Sequence, residues 1–120
     1  MRRGELWWGS PALPGGSRKR RPFLVVSHDV FNANDRYPKV MVVHVTSTRR
    51  QAGPFRWEVP VPPGVGGLPS ASVIKCTEVY TFWKHDLTNA IGTLPSTYVD
   101  QVNRALATAL DLPRLAESSR

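Results

Sequence analysis

The chain has 120 residues, enough for one domain with a substantial core and too few for two. Its formal net charge is +7, and eleven of the sixteen Lys and Arg fall in residues 1–56 against only Glu5, Asp29 and Asp35, so a localised positive field selects polyanions as partners. The single Cys76 excludes an internal disulfide and no apolar run suffices for a membrane span or a signal-peptide core, which reads as a cytoplasmic protein.

Glu5 to Trp8 reads as a short strand, and Gly9 to Gly16, rich in Gly and Pro, as a loop. The run Arg18-Lys19-Arg20-Arg21-Pro22 then feeds directly into Phe23-Leu24-Val25-Val26. Proline fixes the backbone and removes one donor, so Pro22 to Ser27 is predicted as a strand with Arg21 presented at a fixed edge. A rigidly held arginine suits an oxyanion site, and Arg outnumbers Lys twelve to four in this chain. Asn32 to Pro38 reads as a turn and Lys39 to Thr46 as a third strand, with Val43 and Val45 on one face and His44 and Thr46 on the other.

Phe55 to Val61 alternates as a half-buried strand, Pro60 to Ser70 is loop, Ala71 to Phe82 supplies one or two strands, and Ala90 to Leu94 closes the sheet. From Ser96 onward, Val99, Val102, Leu106 and Ala109 or Leu110 recur at helical spacing, with Ser96 or Thr97 as cap and Pro113 as stop. The expected architecture is mainly β, a small and strongly curved sheet or barrel with a C-terminal helix packed on it. Residues 1–112 form the domain and 113–120 a frayed tail.

Metal and phosphate-loop chemistry find no support in the spacing. His28, His44, His85 and Cys76 lack ligand spacing, and Gly15-Gly16-Ser17 lacks the lysine of a P-loop. Cys76 lies within an apolar run and reads as a buried structural thiol. What remains is arginine plus hydroxyls: Arg21 beside a strand ending His44-Val45-Thr46-Ser47, followed by Thr48, Arg49 and Arg50. An RNase that uses the substrate's own 2′-hydroxyl needs positive charge for the phosphorane and a proton shuttle, with no metal or other cofactor. Arg21 and Thr46 supply the charge and a donor; His44 has the chemistry of a base, although a satisfied histidine on a sheet face is the simpler reading.

Arg3-Gly4-Glu5-Leu6-Trp7-Trp8, Gly16-Ser17, Arg20-Arg21-Pro22-Phe23-Leu24-Val25-Val26-Ser27 and Val42-Val43-His44-Val45-Thr46-Ser47 together resemble the MazF/PemK/Kid family of toxin endoribonucleases. Gly53-Pro54-Phe55, Gly67-Leu68-Pro69-Ser70-Ala71-Ser72-Val73, Asp86-Leu87 and Ile91-Gly92-Thr93-Leu94 continue the same order, so the resemblance spans residues 3 to 112. It implies an SH3-like barrel with a C-terminal helix, a homodimer, and metal-independent, sequence-specific cleavage of single-stranded RNA to 2′,3′-cyclic phosphate and 5′-hydroxyl ends. It also implies a cognate antitoxin that lays an extended acidic segment across the RNA groove.

Carried over by position, the resemblance makes Arg21 the catalytic arginine, a phosphate clamp and general acid, Thr46 the strand-end threonine that stabilises the transition state, and Ser17 a phosphate contact. Arg18, Lys19 and Arg20 are expected to hold the RNA backbone, and His44, Ser47 and Glu78 complete the RNA-contacting candidates. Three departures stand out: His44 replaces a proline common in the family, Glu78-Val79-Tyr80-Thr81-Phe82-Trp83 replaces a strand carrying an arginine and an aspartate, and the loop of residues 9–16 has no acidic residue. These departures leave the general base unassigned. Two other readings exist: a CcdB-like gyrase poison, disfavoured because no tryptophan follows Trp83, and a non-catalytic nucleic-acid-binding barrel, which fits the basic half equally well.

Overall fold

In the computed structural model, which describes residues 1–12, 14–16, 18–47 and 55–113, the middle of the sheet is made by the two segments that are apolar on both faces. These are β2 (Arg21–Val25) and β3 (Lys39–Ser47). Leu24, Val43 and Val45 face one core cluster, while Phe23, Val25, Val40 and Val42 face a second with Phe82 and Leu87. Each fully buried Val, Leu or Phe contributes on the order of 1.5–3 kcal/mol, so this doubly covered pair is the rigid centre of the molecule.

Around it stand β1 (Glu5–Gly9), β4 (Glu58–Val61), β5 (Ser72–Trp83) and β6 (Leu87–Thr93), giving one antiparallel sheet in the order β4-β5-β3-β2-β1-β6. A single helical turn, α1 (Asp29–Asn32), follows β2, and α2 (Ser96–Ala109) follows β6. The expected mainly-β fold with a C-terminal helix is what the chain forms. The region 71–82 is one long strand, and β6 starts three residues earlier than the sequence suggests.

Strand β2 stops at Val25 and not at Ser27, because the N–H groups of Val26 and Ser27 both donate to the Met41 carbonyl, at 2.9 and 3.2 Å. Two donors on one acceptor break the ladder, and the chain turns into α1, where the His28 ring accepts from the Val30 N–H at 2.9 Å. The segment 55–57 is also outside β4, with Arg56 and Trp57 in a turn.

Helix α2 buries Val102 and Ala105 against the first core, with Tyr98, Val99 and Leu106 beside them; Leu110 is 58 % exposed and takes no part. The cap is Pro95, not Ser96 or Thr97. Its carbonyl accepts from the Tyr98 and Val99 N–H groups, and no side chain caps the helix. At the other end Asp111 turns left-handed (φ 53°), and Leu112 donates to Ala107 at 2.8 Å while Asp111 donates to Thr108 at 3.2 Å. This closure ends the helix before Pro113 is reached. Arg3 ties the N-terminus to it, donating to the Val26 carbonyl at 2.9 Å and to Asn103 Oδ1 at 2.7 Å.

The connection between β4 and β5 includes a tight turn at Val65–Gly67 that lies against β6. Gly92 makes this possible, because a Cβ there would drive into the Gly66 carbonyl oxygen, which is backbone and cannot swing aside. Fixing this turn fixes Leu68 and Pro69, which line the site described next. Gly92→Ala is expected to destabilise the fold by about 1–3 kcal/mol through overpacking, read as a lower urea midpoint; an unchanged midpoint would show that the turn is not clamped there.

Candidate active site

Pro22 decides where the site opens. The β1–β2 ladder runs through Trp8↔Pro22 to Gly9↔Arg21, whereas the β2–β3 ladder stops at Phe23↔His44. Pro22 has no N–H to extend the second ladder. It therefore sits inside the sheet, not on an edge as its sequence context suggests, and it marks the point where β2 and β3 stop bonding. Continuing the register by two residues sets Arg21 opposite Thr46, on the face shared by Phe23 and His44.

An open pocket of about 290 Å³ occupies this point. Lys19, Arg20 and Arg21 form one wall, and Thr46, Ser47, Ser70 and Ser72 bring hydroxyls to the other. No carboxylate of the described residues lines it. The Thr46 hydroxyl donates to the Ser47 carbonyl at 3.1 Å and Ser72 to the Ser70 carbonyl at 2.8 Å. Arg20 is committed elsewhere: its guanidinium lies 4.7 Å from the centre of the Trp8 ring and donates to Asn89 Oδ1 at 3.3 Å. Arg21 is half-buried, and its Nε–H is buried without a partner. A buried guanidinium donor with nothing to bond is costly unless an anion or another acceptor arrives.

His44 and Glu78 do not line this pocket. They belong to a neighbouring cluster, built by an irregularity that lets Val43 pair with Val79 and the next residue, His44, with Lys75. The extra residues 76–78 form a bulge within β5, with Cys76 kept in the core and its N–H donating to the Trp57 carbonyl at 2.9 Å, and Glu78 meets His44. Glu78 then lies 3.1 Å from His44 Nδ1 and 3.2 Å from Lys75 Nζ, and accepts from the Tyr80 hydroxyl at 3.4 Å. Partial burial works to raise the Glu78 pKa, but the bonds from His44 and Lys75 outweigh it and the net shift is downward. Tyr80 is shifted upward by burial and by the Glu78 charge, with Arg21 pulling the other way.

Arg18 is exposed and lies outside the pocket. Ser17, Thr48, Arg49, Arg50 and the Gly53-Pro54 pair lie outside the described residues, as does the tail beyond Pro113. Cys76 is fully buried and burial pushes its thiol up to about 11, which leaves it protonated and unreactive near neutral pH. Among the described residues no three of His, Cys, Asp and Glu converge as metal ligands, and no helix is long and apolar enough to cross a membrane. Sequence reasoning missed Ser70 and Ser72. Their only signal is the hydroxyl-rich stretch Ser70-Ala71-Ser72 after a Gly-Gly turn, and nothing local says which strand it meets.

Residues 2–110 match a family model described as the PemK-like, MazF-like toxin of type II toxin–antitoxin systems. The chain is 35 % identical over 112 residues to endoribonuclease MazF2 of Mycobacterium bovis, covering 92 % of this chain and 96 % of the relative. Among solved structures, the Mycobacterium tuberculosis toxin MazF-mt6 superposes with a TM-score of 0.74 at 27 % identity, covering 92 % of this chain and 99 % of that one. A mycobacterial endoribonuclease in complex with its cognate antitoxin superposes with a TM-score of 0.77 at 24 % identity, covering 96 % and 99 %, a likeness of fold.

The depressed Glu78 pKa carries a pH dependence of defined sign. Its contribution to stability is fully present above the ordinary carboxylate range and is lost as pH falls through the lower folded value. Glu78→Gln should therefore lose less stability than the parent between neutral and strongly acidic pH, measured by thermal melts along a pH series. Parallel pH profiles for the two proteins would contradict this.

Proposed function

The chain belongs to the PemK-like, MazF-like toxin family of type II toxin–antitoxin systems, and from that premise we propose that it is an endoribonuclease toxin cutting single-stranded RNA without a metal. The observation that carries this reading is the half-buried Arg21 guanidinium, its Nε–H unpaired, in a cationic pocket that it shares with Thr46 and that no carboxylate of the described residues lines.

The chemistry follows from what that pocket offers. A phosphodiester seated between Arg21 and Thr46 meets a forked cationic donor on one side and a hydroxyl on the other. When the adjacent 2′-oxygen attacks phosphorus, charge builds on the non-bridging oxygens, and both groups gain strength as it does. Breaking the bond to the 5′-oxygen leaves a 2′,3′-cyclic phosphate and a 5′-hydroxyl end. Lys19 and Arg20 hold the flanking backbone, Arg20 from its seat over Trp8. Ser47, Ser70 and Ser72 add hydroxyl donors along the opposite wall. An extended acidic segment of a cognate antitoxin would fill the same cationic groove and so block it, and the family resemblance makes the working species a homodimer.

Arg21→Ala should lower RNA cleavage by about two to three orders of magnitude with the fold intact, the loss typical of a transition-state donor. Arg21→Lys keeps the charge and loses the fork, so it should fall between the two. A denaturing gel of a long transcript reads this directly, and cleavage by Arg21→Ala at the parental rate would refute the assignment. A single 2′-deoxy substitution at the cut site should abolish cutting there; continued cutting would rule out 2′-hydroxyl attack.

A further inference from the structure

Two buried polar atoms among the described residues lack any partner, Arg21 Nε and His44 Nε2, and they belong to residues on one face of the β2–β3 pair. Phe23 pairs with His44, and Arg21 stands two residues before Phe23 on the same strand, a step of about 7 Å along it. The two orphans are complementary. Arg21 Nε–H is a donor. His44 is 8 % exposed, and its Nδ1 lies 3.1 Å from Glu78 Oε1, while Lys75 Nζ holds the other carboxylate oxygen, Oε2, at 3.2 Å. An ionised carboxylate only accepts, so Nδ1 must carry the proton, and neutral His44 then presents Nε2 as a bare acceptor.

A hydroxyl is a group that can satisfy both atoms at once, accepting from Arg21 Nε–H and donating to His44 Nε2. We propose that His44, oriented by Glu78, is the general base that takes the proton from the attacking 2′-hydroxyl, with Arg21 Nε–H bonded to the same oxygen. This inference rests on the reading of the chain as a 2′-hydroxyl-dependent ribonuclease. The 2′-O–H bond breaks and its proton passes to Nε2. The O2′–P bond forms, the P–O5′ bond breaks, and its electron pair stays on the 5′-oxygen, which takes a proton from water. The imidazolium, stabilised by Glu78, then returns its proton to solvent. Nε2 is covered in the free protein, so RNA entry has to open the groups that close over it. DNA, with no 2′-hydroxyl, would offer His44 Nε2 no proton.

The arrangement differs from an ordinary buried histidine in one respect. A structural histidine bonds through both nitrogens, whereas here one nitrogen faces a carboxylate and the other is covered, beside the Phe23 ring, without a hydrogen-bond partner. The charged and titratable groups around it are Glu78, Lys75 and Tyr80 on β5 and Arg21 on β2.

The test is single-turnover cleavage of a long in vitro transcript, followed at its fastest-cut site over a pH series, with folding checked by circular dichroism. His44→Gln should cut at least about tenfold more slowly at saturation with half-saturation little changed, and should lose the fall in rate toward acid pH that the parent shows. A folded His44→Gln that cuts within tenfold of the parent, or keeps the parental pH profile, overturns the proposal. If that variant does not fold, Glu78→Gln decides: a loss of about tenfold or more supports the base, and a parental rate overturns it. A parent that leaves 2′,3′-cyclic ends and depends on Arg21 while His44→Gln cuts normally removes only this inference. A parent that leaves no such ends removes the reading beneath it.

Discussion

The absence of one backbone donor organises this molecule. Strands β2 and β3 are covered on both faces and form its stiffest part, yet their ladder stops one residue past Pro22, which has no N–H to give. On the other side β2 stays paired to β1 as far as Arg21, and β3 stays paired to β5 as far as Ser47, so both strands are anchored where they part from each other. The pocket is the gap between these two held strands. Rigid elements place Arg21 and Thr46, which suits a site that must meet a phosphate at fixed geometry.

Electrostatics then divides the cations. Arg20 spends its charge on Trp8 and Asn89, and Lys75 pairs with Glu78. Arg21 alone has a buried guanidinium donor left unpaired among the described residues. Pairing a cation within the protein lowers what it gains from a ligand, which is why the transition-state role is proposed for the unpaired one. The Glu78 cluster sits one step along the same sheet face and keeps its carboxylate out of the pocket, where it would repel a phosphate.

Much of this was legible in the sequence. A cation run ending at Pro22 before an apolar run announces a strand entry, and alternation along β3 sets His44 and Thr46 on one face. Both are local signals of period two. What sequence could not show depended on contacts between distant segments. The cluster at Glu78 exists because a three-residue bulge shifts the register of β5, and a strand pattern read at period two puts Lys75 and Glu78 on opposite faces. Ser70 and Ser72 reach the pocket because Gly92 lets a distant turn settle on β6. Pro95 caps α2 with its carbonyl alone, so the side-chain rule pointed one or two residues too far along. Val26 and Ser27 read as strand, and only the shared Met41 carbonyl ends it.

An arginine–threonine pocket that breaks RNA by itself, using the substrate's own hydroxyl, as proposed, needs no added ion. Mapping the ends made in a long transcript by the purified protein in excess EDTA tests it most directly. The expected products are 5′-hydroxyl ends at a small set of recurring sequences, each paired with a 2′,3′-cyclic phosphate. Loss of cleavage in EDTA, or 5′-phosphate ends, would contradict the proposal.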